Sequence, residues 1–374
     1  MRIGVLTSSR ADYGIYKPLL KALQEDPEFE LSIIAFGTHL SHFHGYTVDN
    51  IVADGYKVDY TVNSLLINDD KNAVSTACAL TSLKFADFWE QHANDFDLVF
   101  CLGDRFEMFG AVAAGIPYQI NFAHLHGGET TLGAIDNVYR HAITLASSIH
   151  FVSQEAFALR VSEITGGSDN IYVTGALSLD NLSYVQMLTE EEFKAKWNID
   201  LDIPTVLVTV HPETVAPELN SRHLTEIVEA LRFVAKEYQV VITMPNADTN
   251  GNIFREGFIA LKSELGDKLY LIENFGTQSY FTCMLNSKLL IGNTSSGIIE
   301  AASFKKYVIN IGDRQKGRAA GENVLHVPFD SEKIIGALMQ LKSLGEYKGQ
   351  NPYFKDGAAK NIITILKEQN RAKL

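Results

Sequence analysis

Cysteine is scarce: the chain has three in 374 residues, Cys78, Cys101 and Cys283, an odd number in no metal-ligand spacing. That excludes a disulfide framework and a cysteine-based zinc site, and reads as the reduced thiols of a cytosolic protein. No run approaches the ~18–20 apolar residues of a membrane span, and the apolar stretch near Met1 is far shorter than the core of a secretory signal. The expectation is a cytoplasmic protein with no membrane partner. Positive charge is also short, with 32 Lys and Arg against 45 Asp and Glu and a formal net charge of −13. A nucleic acid is thereby disfavoured as the main partner, because phosphate backbones are bound through Lys/Arg-rich faces. A small anionic ligand needs only a few local cations and stays open. The opening strand, turn and helix lack G-x-G-x-x-G, which disfavours a nicotinamide dinucleotide where it usually sits. Low-complexity linkers and internal repeats are missing too.

What is present is a globular composition, 46% hydrophobic and 21% charged, in a chain longer than one typical core. It is organised around residues 286–300. Leu289 to Ile291 reads as a buried strand, Gly292 to Ser296 as a tight hydroxyl-rich turn, and Ile298, Ile299 and Ala302 fall at helical spacing. A helix start presents free N–H groups and the positive end of its dipole. With the hydroxyls of Thr294, Ser295 and Ser296, that turn suits a diphosphate, and Glu300 is placed to accept from a ribose diol. The bland alternative is a Ser/Gly-rich helix cap.

Strands and helices alternate along the rest. Residues 2–7 form a strand, followed by Ser8 to Gly14 and an amphipathic helix in which Pro18 is tolerable only in the first turn. Strands at 31–36, 97–102, 118–123, 149–152 and 171–173 follow, with a long helix near 74–92. The alternation restarts with strands at 205–210, 240–244, 269–272, 289–291 and 307–311. Helical patterns at 332–344 and 358–369 end the chain. Two successive series of this kind predict two Rossmann-like domains facing each other across a cleft. In open α/β sheets, ligands bind outside the carboxyl ends of the strands. Asp104, His124, His126, Glu129 and Asp136 fall at such ends in the first half. In the second half His211, the loop Pro245–Gly251 and Arg314 with Lys316 and Arg318 do so. Single motifs have plain structural readings: Gly103-Asp-Arg as a turn with an ion pair, His211 as a satisfied polar residue, Glu129 and Asp136 as first-turn carboxylates. His124 and His126, two residues apart at a strand end, have no further ligand cluster beside them, so no metal is expected. Together, acid/base groups and an anion cradle fit chemistry at a carbon bearing a nucleotide diphosphate leaving group.

The ordered motifs Thr7-Ser-Ser-Arg-Ala-Asp-Tyr-Gly14, Gly103-Asp-Arg-Phe-Glu107, His124-x-x-Gly-Gly-Glu129, Ala134-Ile-Asp136, His211-Pro, Gly292-Asn-Thr-Ser-Ser-Gly297 with Glu300, and Gly312-x-Arg-Gln315 resemble the UDP-N-acetylglucosamine 2-epimerase family, in its hydrolysing sialic-acid or legionaminic-acid branch. The resemblance runs from residue 2 to about 366. It implies a GT-B-like α/β fold with domains at 1–175 and 176–355 and a last helix, 356–374, packing back on the first. It implies no metal, no nicotinamide and no other cofactor, a nucleotide-sugar substrate, and a homodimer or homotetramer. The implied reaction eliminates the nucleotide across C1–C2 to a glycal, then hydrates it to a free sugar of inverted C2 configuration. By matching position, Asp104 and Asp136 fall on catalytic carboxylates and His211 on a catalytic histidine. Arg10, Ser295, Ser296, Gly297, Glu300 and Arg314 fall on the nucleotide-binding set. His126 stands where branch members often have Glu, so either His126 or Glu129 is the second acid/base group. The sugar is N-acetylglucosamine or a 2,4-diacetamido-2,4,6-trideoxyhexose, on UDP or GDP. A glycosyltransferase shares the fold and is the rival enzyme reading; a non-catalytic nucleotide-sugar-binding module is the third.

Overall fold

The computed structural model describes residues 1–66, 68, 70–245 and 251–372. The loop expected at 245–251 therefore falls mostly outside the described residues. Contacts divide the chain into two units. Unit 1 is Met1–Glu129, Asp136–Tyr184 and the chain from Tyr353; unit 2 is Thr130–Ile135 and Val185–Pro352. The divisions fall after Tyr184 and Pro352 where the sequence suggested 175 and 355. The short stretch between Glu129 and Asp136 belongs to unit 2.

Unit 1 holds β1 (Arg2–Thr7), β2 (Glu30–Phe36), β3 (Val58–Val62), β4 (Leu98–Leu102), β5 (Phe122–Leu125), β6 (Ile149–Val152) and β7 (Ile171–Val173). They form one parallel sheet in the order β3-β2-β1-β4-β5-β6-β7. Both faces are covered, so its strands read as nearly continuous apolar runs. Ile3 and Val5 face Phe100, Phe151 and the C-terminal helix Ala358–Ala372, through Ala359, Ile362 and Leu366. Leu6 faces the other way, toward Phe36, Phe85, Trp89 and Phe122. The C-terminal helix is pinned at its start: Asp180 accepts from the Ala358 and Ala359 N–H groups at 3.0 and 2.7 Å.

Three local expectations are corrected. Pro18 lies in the middle of the helix Arg10–Glu25, not in its first turn. A proline there leaves the carbonyl four residues back without its helical donor; that carbonyl, Gly14 O, is satisfied by Asn181 Nδ2 at 2.9 Å. The strand expected at 118–123 begins at Phe122, because a 3-10 turn runs over Ile116–Tyr118 and Gln119 takes a left-handed conformation with φ 55°. His124 is consequently inside the strand. The third correction is β3, which the sequence reading passed over, as it did the last strand of the second unit, Val324–Val327.

Unit 2 holds β8 (Thr205–Thr209), β9 (Gln239–Thr243), β10 (Leu269–Ile272), β11 (Leu289–Gly292), β12 (Val308–Ile311) and β13 (Val324–Val327), in the order β10-β9-β8-β11-β12-β13 and all parallel. Its core joins Val206, Val208, Ile242, Ile291 and Ile309 to Ile227, Leu231, Phe254 and Phe258. Both sheets reverse strand order once near their centre, between β1 and β4 and between β8 and β11, which is the Rossmann arrangement. Among the described residues no helix is long and apolar enough to cross a membrane.

Candidate active site

At the reversal point of unit 1, the loop after β1 is fixed by its own side chains. Asp12 Oδ2 accepts from the Ser8 N–H and Oγ–H at 2.9 and 2.6 Å, and Ser9 Oγ caps the helix by accepting from the Asp12 N–H. Arg10 opens that helix. His39, at the end of β2, lies between Thr7 Oγ1 and Thr47 Oγ1 at 2.9 Å each; burial holds its pKa down to about 4, so it sits there neutral.

After β4 and β5 the chemistry-bearing side chains gather around Arg140, which the sequence reading missed. Its guanidinium is buried, pairs with Asp104, and donates through Nη1 to the Glu129 carbonyl at 2.9 Å. The signal was there in the spacing, since Arg140 lies one helical turn beyond Asp136 on the helix Asp136–Ala146. Asp136 is half-buried in the first turn of that helix. Strand alternation would set residues two apart on one face, but β5 ends at Leu125 and the two histidines separate there. His124 is fully buried, bound to Gly103 O at 2.8 Å and Thr144 Oγ1 at 3.1 Å, and desolvation drives its pKa down to about 3. It is a structural tie between β5 and the Gly103 turn.

His126 instead adopts a left-handed backbone, φ 64°, and its Nδ1 lies 2.8 Å from Glu129 Oε1, with both side chains buried. The two alternatives raised by the sequence thus form one dyad, a carboxylate orienting an imidazole. The intervening glycines make it possible: Gly128 has φ 76°, and a Cβ there would stand 2.3 Å from Phe157 O. Non-glycine residues at positive φ are uncommon and cluster at functional sites.

At the reversal point of unit 2, Asn293 ties the two central loops together. Its Oδ1 accepts from the His211 N–H at 2.7 Å and its Nδ2 donates to His211 O at 2.8 Å. Gly292 is required there, since a Cβ would lie 1.9 Å from Thr209 O. The helix begun by the hydroxyl turn is only Ser295–Ile299, after which a 3-10 turn, Ala301–Phe304, takes over. The expected dipole is correspondingly reduced, and any anion would be held by N–H groups, hydroxyls and cations. Thr294 caps the helix, Gly297 lets it sit on Val308, and Glu300 is buried at its end. Tyr280 neighbours Ser296 and Thr209, and burial pushes its hydroxyl up to about 12. Arg314 reaches back from the loop after β12 and donates through Nη1 to Pro212 O at 2.9 Å, while Gln315 Nε2 donates to Asn293 O at 2.8 Å. The segment Thr130–Ile135 joins the same loops: Leu132 N–H donates to Lys316 O and Ile135 N–H to Thr214 Oγ1, both at 3.0 Å.

The structure therefore places Asp104, His126, Glu129, Asp136 and Arg10 on unit 1, and His211, Ser295, Ser296, Gly297, Glu300 and Arg314 on unit 2. Among the described residues no group of three or more His, Cys, Asp or Glu is disposed to hold a metal ion.

Residues 21–367 match the family model described as UDP-N-acetylglucosamine 2-epimerase. The chain belongs to that family. A hydrolysing UDP-N,N'-diacetylbacillosamine 2-epimerase of Legionella pneumophila is 31% identical, over 98% of this chain and 95% of the relative. A hydrolysing GDP/UDP-N,N'-diacetylbacillosamine 2-epimerase of Campylobacter jejuni is 33% identical, over 87% and 83%. Among solved structures, the UDP-GlcNAc 2-epimerase of Neisseria meningitidis bound to UDP-GlcNAc superposes with a TM-score of 0.81 at 18% identity, over 98% of this chain and 100% of that one. The two-domain α/β fold expected for a 2-epimerase of this family is thus the fold observed.

Proposed function

We propose that the protein is a hydrolysing nucleotide-sugar 2-epimerase that converts UDP-N-acetylglucosamine to UDP and N-acetylmannosamine. The observation that carries this reading is the division of chemistry between the two reversal points. Unit 1 bears carboxylates and an imidazole, and unit 2 bears hydroxyls, N–H groups and Arg314, with His211 beside them. A general base takes the C2 proton as the C1–O bond to the diphosphate breaks, leaving a glycal; water then adds its hydroxyl to C1 and a proton returns to C2 from the opposite face. The diphosphate leaves as a dianion or trianion, which Arg314 and the Ser295–Ser296 hydroxyls stabilise. The His126–Glu129 dyad and Asp104 supply the acid and base. Arg10 adds a second cation, and Glu300 holds the ribose.

A product assay in deuterated water tests this. Free sugar should form without any acceptor and carry deuterium at C2. Product without label rejects the elimination, and turnover only with an acceptor makes the protein a glycosyltransferase. A second reading has its own support, because relatives at 31% and 33% identity are named for diacetylbacillosamine. In that reading the donor is a UDP- or GDP-linked 2,4-diacetamido-2,4,6-trideoxyhexose, and His126 is part of the adjustment. The ratio of kcat/KM for the candidate donors, in wild type and in His126→Glu, decides between them. The family reading also leads us to propose a homodimer or homotetramer, to be checked by light scattering.

A further inference from the structure

Glu213 is two residues beyond His211, buried, and on no surface that meets solvent freely. Its carboxylate turns toward the loop after β12. Oε1 accepts from the Asp313 N–H at 2.5 Å, and the Arg314 N–H donates to the same carboxyl. Gly312 permits this approach: it has φ 72°, and a Cβ there would stand 2.4 Å from Glu213 Oε1 and 2.3 Å from the Phe329 ring. The main chain of Glu213 is itself clamped, with Asn220 Oδ1 accepting from its N–H and Asn220 Nδ2 donating to its carbonyl, each at 3.1 Å. The loops are thus tied in both directions, since Arg314 Nη1 returns to Pro212 O.

We propose that Glu213 is the positioning residue for Arg314: its carboxylate fixes the two successive N–H groups at the head of the Arg314 loop, so that the guanidinium is held ready for the nucleotide diphosphate. The proposal rests on the reading of Arg314 as a diphosphate ligand. A carboxylate suits the task because it is acceptor-only and offers each N–H a lone pair, whereas an amide of the same shape turns an NH2 group toward one of them. The cost is a buried charge. Burial, with Asp313 adding, raises the Glu213 carboxyl above its ordinary value, and the two N–H donors and the Arg314 charge oppose that shift. The charged groups nearby are few: Asp313 is exposed and paired with Lys316, Arg314 lies on the facing loop, His211 on its own, and His223 stacks on Phe329 from the helix Asn220–Val234. Protonation of Glu213 removes acceptors from the loop, so nucleotide affinity is expected to fall on acidification ahead of an ordinary glutamate.

Calorimetric titration of the full chain with UDP tests this, in wild type, Glu213→Gln, Glu213→Asp, Arg314→Ala and the double variant Glu213→Gln/Arg314→Ala, with thermal melts alongside. Glu213→Gln should weaken UDP about five- to twentyfold in the folded protein. Glu213→Asp, one methylene short of the loop, should weaken it similarly and stands in if the Gln variant does not fold. The double variant should bind no worse than Arg314→Ala alone, because Glu213 acts through Arg314. The acid-side loss of affinity seen in wild type should flatten in both Glu213→Gln and Arg314→Ala, a readout that mere destabilisation does not move. If Arg314→Ala binds UDP like wild type, the reading of Arg314 itself fails. If Arg314→Ala weakens UDP while a folded Glu213 variant does not, or if the two losses add, the positioning role is overturned.

Discussion

Replacing Asp104 by Asn tests both the chemistry and the packing of unit 1. Asp104 lies at the end of β4 with its side chain 24% exposed, so one edge is reachable while the other faces Arg140, whose side chain is 3% exposed. The Asn variant preserves shape but takes away the carboxylate charge paired with the buried Arg140 guanidinium, while the donation to Glu129 O remains. Breaking a buried pair costs about 3–5 kcal/mol. The partial exposure of Asp104 reduces this, to about 2–4 kcal/mol, because solvent screens the pair. Such a loss is within the ~5–15 kcal/mol that folded domains have in reserve, so the variant should fold with a clearly lowered denaturation midpoint. Turnover should drop by ~10²-fold or more, the scale for losing a positioned acid or base. The assay is UDP release from UDP-N-acetylglucosamine at a temperature where circular dichroism shows the variant folded, with UDP affinity measured in the same sample. Affinity should survive, because the groups of unit 2 proposed to bind the diphosphate are untouched. A variant with near wild-type kcat refutes the catalytic assignment and leaves Asp104 as a structural counter-charge. A variant whose midpoint is unmoved refutes the energetic role given to the Arg140 pair.

Asp180→Ala removes both acceptors at the start of the helix Ala358–Ala372 and leaves two buried N–H groups unsatisfied. The expected loss is about 2–4 kcal/mol by urea denaturation, with proteolytic cleavage appearing first near residue 357; unchanged protection would show that apolar packing alone holds this helix. Acid should destabilise the protein through its buried histidines. His39, His124 and His150 are held by desolvation to about 4, 3 and 4, below the unfolded value of about 6.5. The unfolded chain therefore binds more protons, and the stability from keeping them neutral is complete above pH ~6.5 and is lost as pH falls from there toward 4, at on the order of 1 kcal/mol per unit per histidine. A flat profile of denaturation midpoint between pH 7 and 5 would contradict their burial.

Most of the fold was legible along the chain because parallel strands buried on both faces are continuous apolar runs, bounded by Gly- and Ser-rich turns. Leu269–Ile272, Ile149–Val152 and Ile171–Val173 were read to the residue. Local chemistry misled where a distant partner decides: Pro18 is tolerated inside a helix because Asn181, far along the chain, supplies the donor that Gly14 O lacks. The same division holds for the candidate site. Composition and motif order marked Asp104, His126, Glu129, Asp136, His211 and the 292–300 turn, since loops after parallel strands collect at one sheet edge. Tertiary structure alone set which of them touch. It joined His126 to Glu129 through two glycines, set Arg140 against Asp104, and aimed Glu213 at the Arg314 loop. Those pairings depend on where strand order reverses and on which backbones approach without a Cβ between them, and neither is written in the spacing of residues along a single strand or helix.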